Sequence, residues 1–508
     1  MSIHSHRPPR GGCSTGAPAQ GRSRRGRLSA LLLGVAVLAA LAGGAPAQAA
    51  QPGVTQISSD PFAPGSSPPA AHATEVEPDT FAWGSTVVSA FQTGRVFNGG
   101  ASDIGWAISS TGGESWAHGF LPSTTPASTP TGPFFSVSDA SVAYDAAHHA
   151  WIISWLGAHF SGGGVVDVMV SRSTDGGRTW GDPVTVAATG VFYDKNWTVC
   201  DNTPTSPFYG HCYTEFDNAS AGDLELMSTS ADGGLTWGPP TPTADNSHGL
   251  GGQPVVQPNG RVVVPFEGLS GGGGQRSFIS DDGGATWSAS VQISTRTAHT
   301  VPGVRTSPLR SAEINADGTV YVVWQDRRFE PGGTANDIVL STSDDGINWS
   351  PVTRIPLDPV GSNVDHFIPG LAVNRLTSGG STQLALTYYQ QSPAGCVGLT
   401  CEIQAEFSSS TDNGSTWTAP KAVSDPMQLA WIAPTTQGAM TGDYISTSFL
   451  AGQQRVVGVF AWGFPNPAPG LFNEPMFAAL EKVRSGTNRT GADAVVAGGA
   501  AETAGTTF

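Results

Sequence analysis

Five strand-like runs in this sequence open on ionisable residues. They are Asp139 in "SDASVAYD", Asp194 with Lys195 in "YDKNWTVC", Arg305 in "GVRTSPLRSAEI", Asp365 with His366 in "DHFIPGLAV", and Asp443 with Tyr444 in "GDYISTSF". A carboxyl can give or take a proton, a guanidinium or ammonium can hold an anion, and a phenol attacks once a base takes its proton. Brought to one mouth, such a set could do acid–base chemistry on a bound ligand. Asp194, Asp365 and Asp443 are the expected acid or base groups, with Tyr444 as a nucleophile beside Asp443. Arg305 and Arg328 are the expected ligand clamps, and Lys195, His366, Asp139 and Glu267 are expected to touch the ligand. Each has a structural alternative: strand-start aspartates can bond backbone amides next door, Arg328 can pair with Asp326, and His366 can simply be packed.

What must position these runs is a repeat. A polar turn ending in tryptophan recurs as "SSTGGESW" (109–116), "STDGGRTW" (173–180), "SADGGLTW" (230–237), "SDDGGATW" (280–287), "TSDDGINW" (342–349) and "STDNGSTW" (410–417). A spacing of about sixty residues fits one supersecondary unit used again and again. Each turn lies between runs rich in Val, Ile and Thr, such as "VDVMVSR" and "DPVTVAA", and reads as a hairpin. In it the Asp accepts backbone N–H bonds, Gly supplies the positive φ, and the Trp ring folds onto the neighbouring strand. Asp175, Asp232, Asp282, Asp344 and Asp412 take the carboxylate position, and Thr111 replaces it in the first turn. These aspartates read as staples of the turn.

Two more strand-like runs precede each turn, for example "RVVVPFE" (261–267) after "QPVVQ". Four strands per unit predict an all-β propeller, with seven blades and six as the alternative count. The last unit, from "GDYISTSF" to "EPMFAALEKV", lacks an outer strand. "GVTQISS" (53–59) can supply it and close the ring. The ionisable strand starts then share the face opposite the turns, together with long loops such as 389–401.

Residues 1–49 carry six arginines, no acid and the apolar run "LSALLLGVAVLAALAGG", which predicts a secretory leader for Sec or twin-arginine export. The propeller is expected over 50–485, with a Pro/Ala linker at 61–75, and 486–508 as a disordered Gly/Ala/Thr-rich tail. Without the leader's six arginines the formal charge of −16 becomes −22, which argues against nucleic acid and anionic membrane as partners. Four cysteines remain, and the neighbouring pairs Cys200 with Cys212 and Cys396 with Cys401 are the expected disulfides of an exported protein. No EF-hand spacing supports calcium and no His/Cys spacing supports zinc, so no cofactor is expected; a monomer is.

The pattern Ser-x-Asp-x-Gly-x-Thr-Trp, complete at 173–180, 230–237, 280–287 and 410–417, resembles the Asp-box of the sialidase superfamily. "DKNWTVCD" (194–201), "DHFIPGLAVN" (365–374) and "GDYISTSF" resemble its secreted bacterial, exo-sialidase-like branch. The resemblance implies a glycoside hydrolase acting on a terminal, in some members acidic, sugar of a glycan. In such enzymes three arginines clamp the sugar carboxylate, a Tyr activated by Glu attacks the anomeric carbon, and an Asp is acid and then base. The family's Phe/Tyr-Arg-Ile-Pro motif has no counterpart here, where the matching region reads "DTFAWGSTVVSAF" (79–91). That departure favours a second reading, a propeller that binds glycan or protein without catalysis. A third reading is a polysaccharide lyase using Tyr444 and His366 for proton transfer.

Overall fold

The structure, a computed structural model, describes residues 51–489 except 63–69, 98, 162–163, 270–272 and 308. The expected leader lies outside the described residues, as does the tail from 490 onward. Among the described residues there is no α-helix; the chain folds into successive antiparallel sheets joined by turns and five short 3-10 segments.

The first unit pairs Ala70–Trp83, Thr86–Val96, Ala101–Ser109 and Ala117–Phe120 in that order. The second pairs Ser136–Asp145, Ala150–Ala158, Val166–Ser173 and Val184–Ala187, and a single register contact, Ala101 with Val137, joins it to the first. The same meander recurs from Tyr193, Gly249, Arg310 and Asp365 as the third to sixth units. In the fourth unit the first strand is broken into Gly249–Leu250 and Val255–Val256, both paired to Val262–Gly268. The seventh unit has Ser446–Phe449, Arg455–Ala461 and Met476–Lys482, and its fourth strand is Val54–Gln56 from the other end of the chain, with Val54 opposite Ala479.

Strands such as Val262–Gly268 are buried along their whole length, the behaviour of a continuous apolar run covered on both faces. The apolar core therefore lies between units. Val88, Ile104, Ile153 and Trp155 pack between the first and second, and Tyr321, Leu340, Leu386 and Trp417 between the fifth and sixth. Each such side chain stabilises the fold by about 1.5–3 kcal/mol. Hydrogen bonds tie unit to unit as well. Asp79 Oδ2 accepts Val142 N–H at 2.7 Å, Ser141 Oγ accepts Thr198 N–H at 2.9 Å, and Gln253 Oε1 accepts Ala312 N–H at 2.7 Å. Ser311 Oγ accepts Leu371 N–H at 3.0 Å, Thr447 Oγ1 donates to the Gly370 carbonyl at 2.9 Å, and Ser448 Oγ donates to the Thr80 carbonyl at 3.0 Å, linking the seventh unit back to the first. Between third and fourth, Gly252 lies against Glu215 so closely that a Cβ would stand 2.7 Å from its carboxyl carbon.

Each tryptophan-tipped turn joins the third strand of its unit to the fourth. In the second box, Asp175 accepts from Ser173 Oγ at 2.8 Å, Arg178 N at 2.9 Å, Thr179 N at 3.0 Å and Thr179 Oγ1 at 2.6 Å. Asp232, Asp282 and Asp412 likewise accept from the Ser Oγ two residues before and the Thr N–H four residues after in their boxes. The fifth box corrects the expectation for Asp344. One residue is missing between Asp and Gly there, so Asp345 takes the staple role, accepting from Ser343 Oγ and from the amides of Ile347 and Asn348, while Asp344 accepts from Thr319 Oγ1 at 2.7 Å. Both expected disulfides, Cys200–Cys212 and Cys396–Cys401, are formed.

Two stretches expected to lack structure are strands. Residues 70–75 of the expected linker open the strand Ala70–Trp83, held by Asp60, whose Oδ2 accepts Ala73 N–H at 2.7 Å. Pro/Ala composition hid a strand that tertiary pairing creates. Asn488–Arg489, in the expected tail, pairs with Thr416–Trp417 in the sixth box.

Candidate functional site

Four first strands carry the same irregularity. Their register slips between Val76 and Asp79, Ser138 and Ser141, Asp194 and Trp197, and Phe367 and Gly370. At each slip one non-glycine residue takes a left-handed conformation: Glu77 at φ 56, Asp139 at φ 48, Lys195 at φ 52 and Ile368 at φ 50. Such a residue costs roughly 1–3 kcal/mol, and bulges of this kind re-aim side chains next to functional sites. Three of the four are ionisable, and all three line one cavity of about 480 Å³ with Asp194, Arg305 and Arg95. Because the strands are antiparallel, the cavity residues sit at the opposite end of each unit from its box: in the second unit Ser136 pairs with Ala158, while Trp151 pairs with Ser173.

Behind the cavity wall stands Asp443, 1 % exposed. Arg305 grips it with Nε to Oδ1 at 2.8 Å and a second bond to Oδ2, and Lys195 Nζ reaches Oδ2 at 2.8 Å. Lys195 also pairs with Asp139 at 3.3 Å. Glu77 Oε1 accepts the Asp443 N–H at 3.0 Å. That approach requires Gly442, at φ 137, where a Cβ would stand 2.9 Å from Glu77 N. Arg95, 2 % exposed, donates to the carbonyls of Ala433, Met440 and Pro434 at 3.1, 3.3 and 3.2 Å. It thereby fixes the hairpin Pro434–Thr435 with Gly438–Ala439, and the Ala439 carbonyl accepts Arg305 N–H at 2.8 Å.

Burial and charge drive the carboxyls of this cluster apart. Burial pushes Asp194 up to about 6 against the pull of Lys195, and pushes Glu77 up to about 8 with help from Asp139. Burial works to raise Asp443 too, yet Lys195 and Arg305 together hold it well below the usual carboxylate range. Lys195 is in turn held above the usual lysine value, since its carboxylate neighbours outweigh burial. Below pH 6 the result is two protonated acids, Asp194 and Glu77, beside a fixed carboxylate and two fixed cations, an arrangement that separates proton donor from acceptor at one pH. Among the described residues one trio of metal-ligand type, Asp337, Asp358 and His366, stands close together, and it is not part of this cavity wall.

The family described as BNR repeat-like domain matches residues 150–368. A sialidase of Micromonospora viridifaciens is 27 % identical over 288 residues, covering 50 % of this chain and 41 % of the relative. Over part of its length the chain is similar to BNR repeat-like domains and to a sialidase. It spans about two fifths of that relative's length. Solved structures similar to this chain include a Trypanosoma rangeli sialidase with 2,3-difluorosialic acid at 12 % identity, TM-score 0.42, covering 68 % of this chain and 57 % of that one. Others are a NanB sialidase of Streptococcus pneumoniae, at 12 %, 0.40, 81 % and 68 %, and an ulvan lyase, at 11 %, 0.47, 85 % and 96 %.

The residues expected at one mouth fall into separate places. Asp139, Asp194, Lys195 and Arg305 meet at the cavity, with Asp443 behind them. Asp365 lies in a second cavity of about 660 Å³ beside His299 and the Cys396–Cys401 loop, where it accepts from Asn336 N at 2.8 Å and His299 Nδ1 at 3.1 Å. Its strand slips at Ile368, so Asp365 stands three residues ahead of the bulge whereas Asp194 stands one ahead. Tyr444 does not suit a nucleophile: it is buried, its hydroxyl lies 3.4 Å from the Ala140 carbonyl, and burial pushes the phenol well above its ordinary value. Arg328 is held by Asp326, with Nε to Oδ1 at 2.9 Å and a terminal nitrogen to Oδ2 at 2.7 Å, so it is no free clamp. Glu267 bonds Gln275 at 2.6 Å and Arg296 at 3.0 Å. His366 is buried between the fifth and sixth units. Sequence reasoning missed Glu77, Arg95 and His299; the alternation of Glu75, Glu77 and Asp79 in "EVEPD" was the available sign of an ionisable strand face.

Proposed function

We propose that the seven units are the blades of one propeller, closed by the N-terminal strand, and that the exported protein cleaves a terminal sugar from a glycan in the cavity around Lys195. Asp194 protonates the leaving oxygen, and Asp139, on the facing strand start, activates the attacking water. Asp443 orients Lys195 and Arg305 and transfers no proton, since two cations hold it ionised. The observation that carries this reading is Asp194, raised by burial to about 6 and lining a 480 Å³ cavity within a cluster of fixed charges. Arg305 is committed to Asp443 and Arg95 to three carbonyls, which favours a neutral terminal sugar over a carboxylate-bearing one.

One observation favours the second reading, glycan binding without cleavage: among the described residues, no tyrosine bonded to a carboxylate lines this cavity, and Tyr193 there bonds Thr189 Oγ1 at 2.6 Å. A panel of fluorogenic neutral glycosides and sialosides, with wild type and Asp194→Asn, decides. Release of a neutral sugar by wild type, lost in the variant, supports hydrolysis. No release, with a glycan retained on a column by both proteins and lost in Asp139→Ala, supports binding.

A further inference from the structure

His366 is 3 % exposed, yet neither ring nitrogen is hydrogen-bonded. Nδ1 is buried without a partner, and Nε2 stands 3.9 Å from Asp358 Oδ2, too far for a hydrogen bond. Asp337, on the third strand of the fifth unit and 1 % exposed, likewise leaves Oδ2 buried and unpartnered. One ligand atom from each of Asp337, Asp358 and His366 lies within 4.8 Å of the other two. A buried imidazole and a buried carboxylate oxygen both left without partners are costly unless something accepts their lone pairs.

Arg354 does not fill that need. Its Nε donates to Asp337 Oδ1 at 2.7 Å, one terminal nitrogen donates to Asp358 Oδ1, and the other donates to the Asp358 carbonyl at 2.7 Å. The guanidinium thus takes one oxygen of each carboxylate and leaves the second oxygen of each on the His366 side or shared with Ser362. Glu330 and Asp358 both stand close enough to Asp337 to act on its carboxylate, so one guanidinium faces more than one acid.

We propose that Asp337, Asp358 and His366 bind one divalent transition-metal ion of the zinc or manganese class. Two carboxylate oxygens with one imidazole suit these ions, whereas calcium prefers six to eight oxygens. The ion would tie the third strand of the fifth unit, through the connection carrying Asp358, to the first strand of the sixth, adding to the apolar packing and side-chain bonds already between these units. Site and cavity share no residue, so this proposal stands whether or not the protein cleaves a glycan.

The test uses tag-free protein from residue 50 onward, stripped with EDTA and dialysed at pH 7 against zinc, manganese, magnesium or calcium. Bound metal is measured by mass spectrometry and unfolding by a thermal melt. The expected result is one zinc or manganese per chain with a raised Tm, both lost in His366→Gln and in Asp358→Asn. Should His366→Gln fail to fold, Asp358→Asn carries the test, since that side chain is 17 % exposed. Cobalt(II) gives a further readout, visible absorption bands in the wild type that are absent in Asp358→Asn. Metal retained equally by wild type and the folded variants, preference for calcium, or no metal retained would each overturn the assignment.

Discussion

Asp175 and Asp194 are the same residue type placed in opposite circumstances. Asp175 sits in an exposed turn and accepts four hydrogen bonds, those from Thr179 foremost, which hold its carboxyl down to about 2. Asp194 lines the cavity, accepts the Lys195 amide N–H at 3.0 Å, and is driven up to about 6 by burial. One carboxylate is saturated with donors and spends its charge on shaping a hairpin; the other is starved of donors and keeps a proton that can be given away. The difference teaches that abundance of aspartate in this chain says little, and that the donor count around each one separates scaffold from chemistry.

Substitution at the two positions should break them apart most widely. Asp194→Asn is expected to lower glycan cleavage by roughly 10²–10⁴-fold, the usual contribution of a positioned proton donor, while Asp175→Asn leaves kcat/KM within about twofold. Initial rates on the same glycoside decide it, and equal losses in both variants would erase the contrast.

Stability against pH sharpens the comparison next. Glu75, Asp103 and Glu474 are pushed by burial to about 8 and Asp79 to about 7, against ordinary values near 4. Between pH 4 and 8 the folded state therefore keeps protons that the unfolded state has released. The slope of unfolding free energy with pH is then negative, about 1.4 kcal/mol per pH unit for each proton fully retained. Stability should fall by several kcal/mol from pH 5 to pH 9. The box aspartates act with the opposite sign, adding stability that is lost as pH falls below 4 toward their lowered values. Urea unfolding at pH 3, 5, 7 and 9 should show the maximum near 5; a maximum at 8 or above would contradict the burial of these groups.

Smaller effects belong to single boxes. Asp412→Ala removes the acceptor for Ser410 Oγ, Thr416 N and Thr416 Oγ1 and should cost about 1–2 kcal/mol with activity unchanged. In the first box Thr111 Oγ1 accepts Ser115 N–H at 3.0 Å in place of a carboxylate. Thr111→Asp should add about 0.5 kcal/mol, seen as a small rise in urea midpoint.

The scaffold was legible because its signals are local. Box turns, strand runs, the paired cysteines and the N-terminal strand against Met476–Lys482 all follow from spacing and residue type over a few positions. The fifth box shows the limit: a one-residue deletion moves the staple from Asp344 to Asp345, and the two adjacent aspartates look alike until hydrogen bonds are seen. The cavity was half legible. Asp139, Asp194, Lys195 and Arg305 were picked out as charged strand starts, and they meet. What separates Asp365 from them is a bulge placed two positions differently relative to the carboxylate, and register of that kind has no sequence mark when the bulge residue is Glu, Asp, Lys or Ile rather than Gly. Glu77 and Arg95 matter through partners some 340 to 370 residues away, Asp443 and the 433–440 hairpin, which only the tertiary fold brings near.

The most direct test is carboxyl-carbon NMR titration of protein labelled at Asp and Glu, comparing wild type with Asp194→Asn and Asp175→Asn. A signal with midpoint near 6 that vanishes in Asp194→Asn, and one near 2 that vanishes in Asp175→Asn, is the expected result. If both signals titrate near 4, the two carboxyls share one environment and the division between staple and proton donor does not exist.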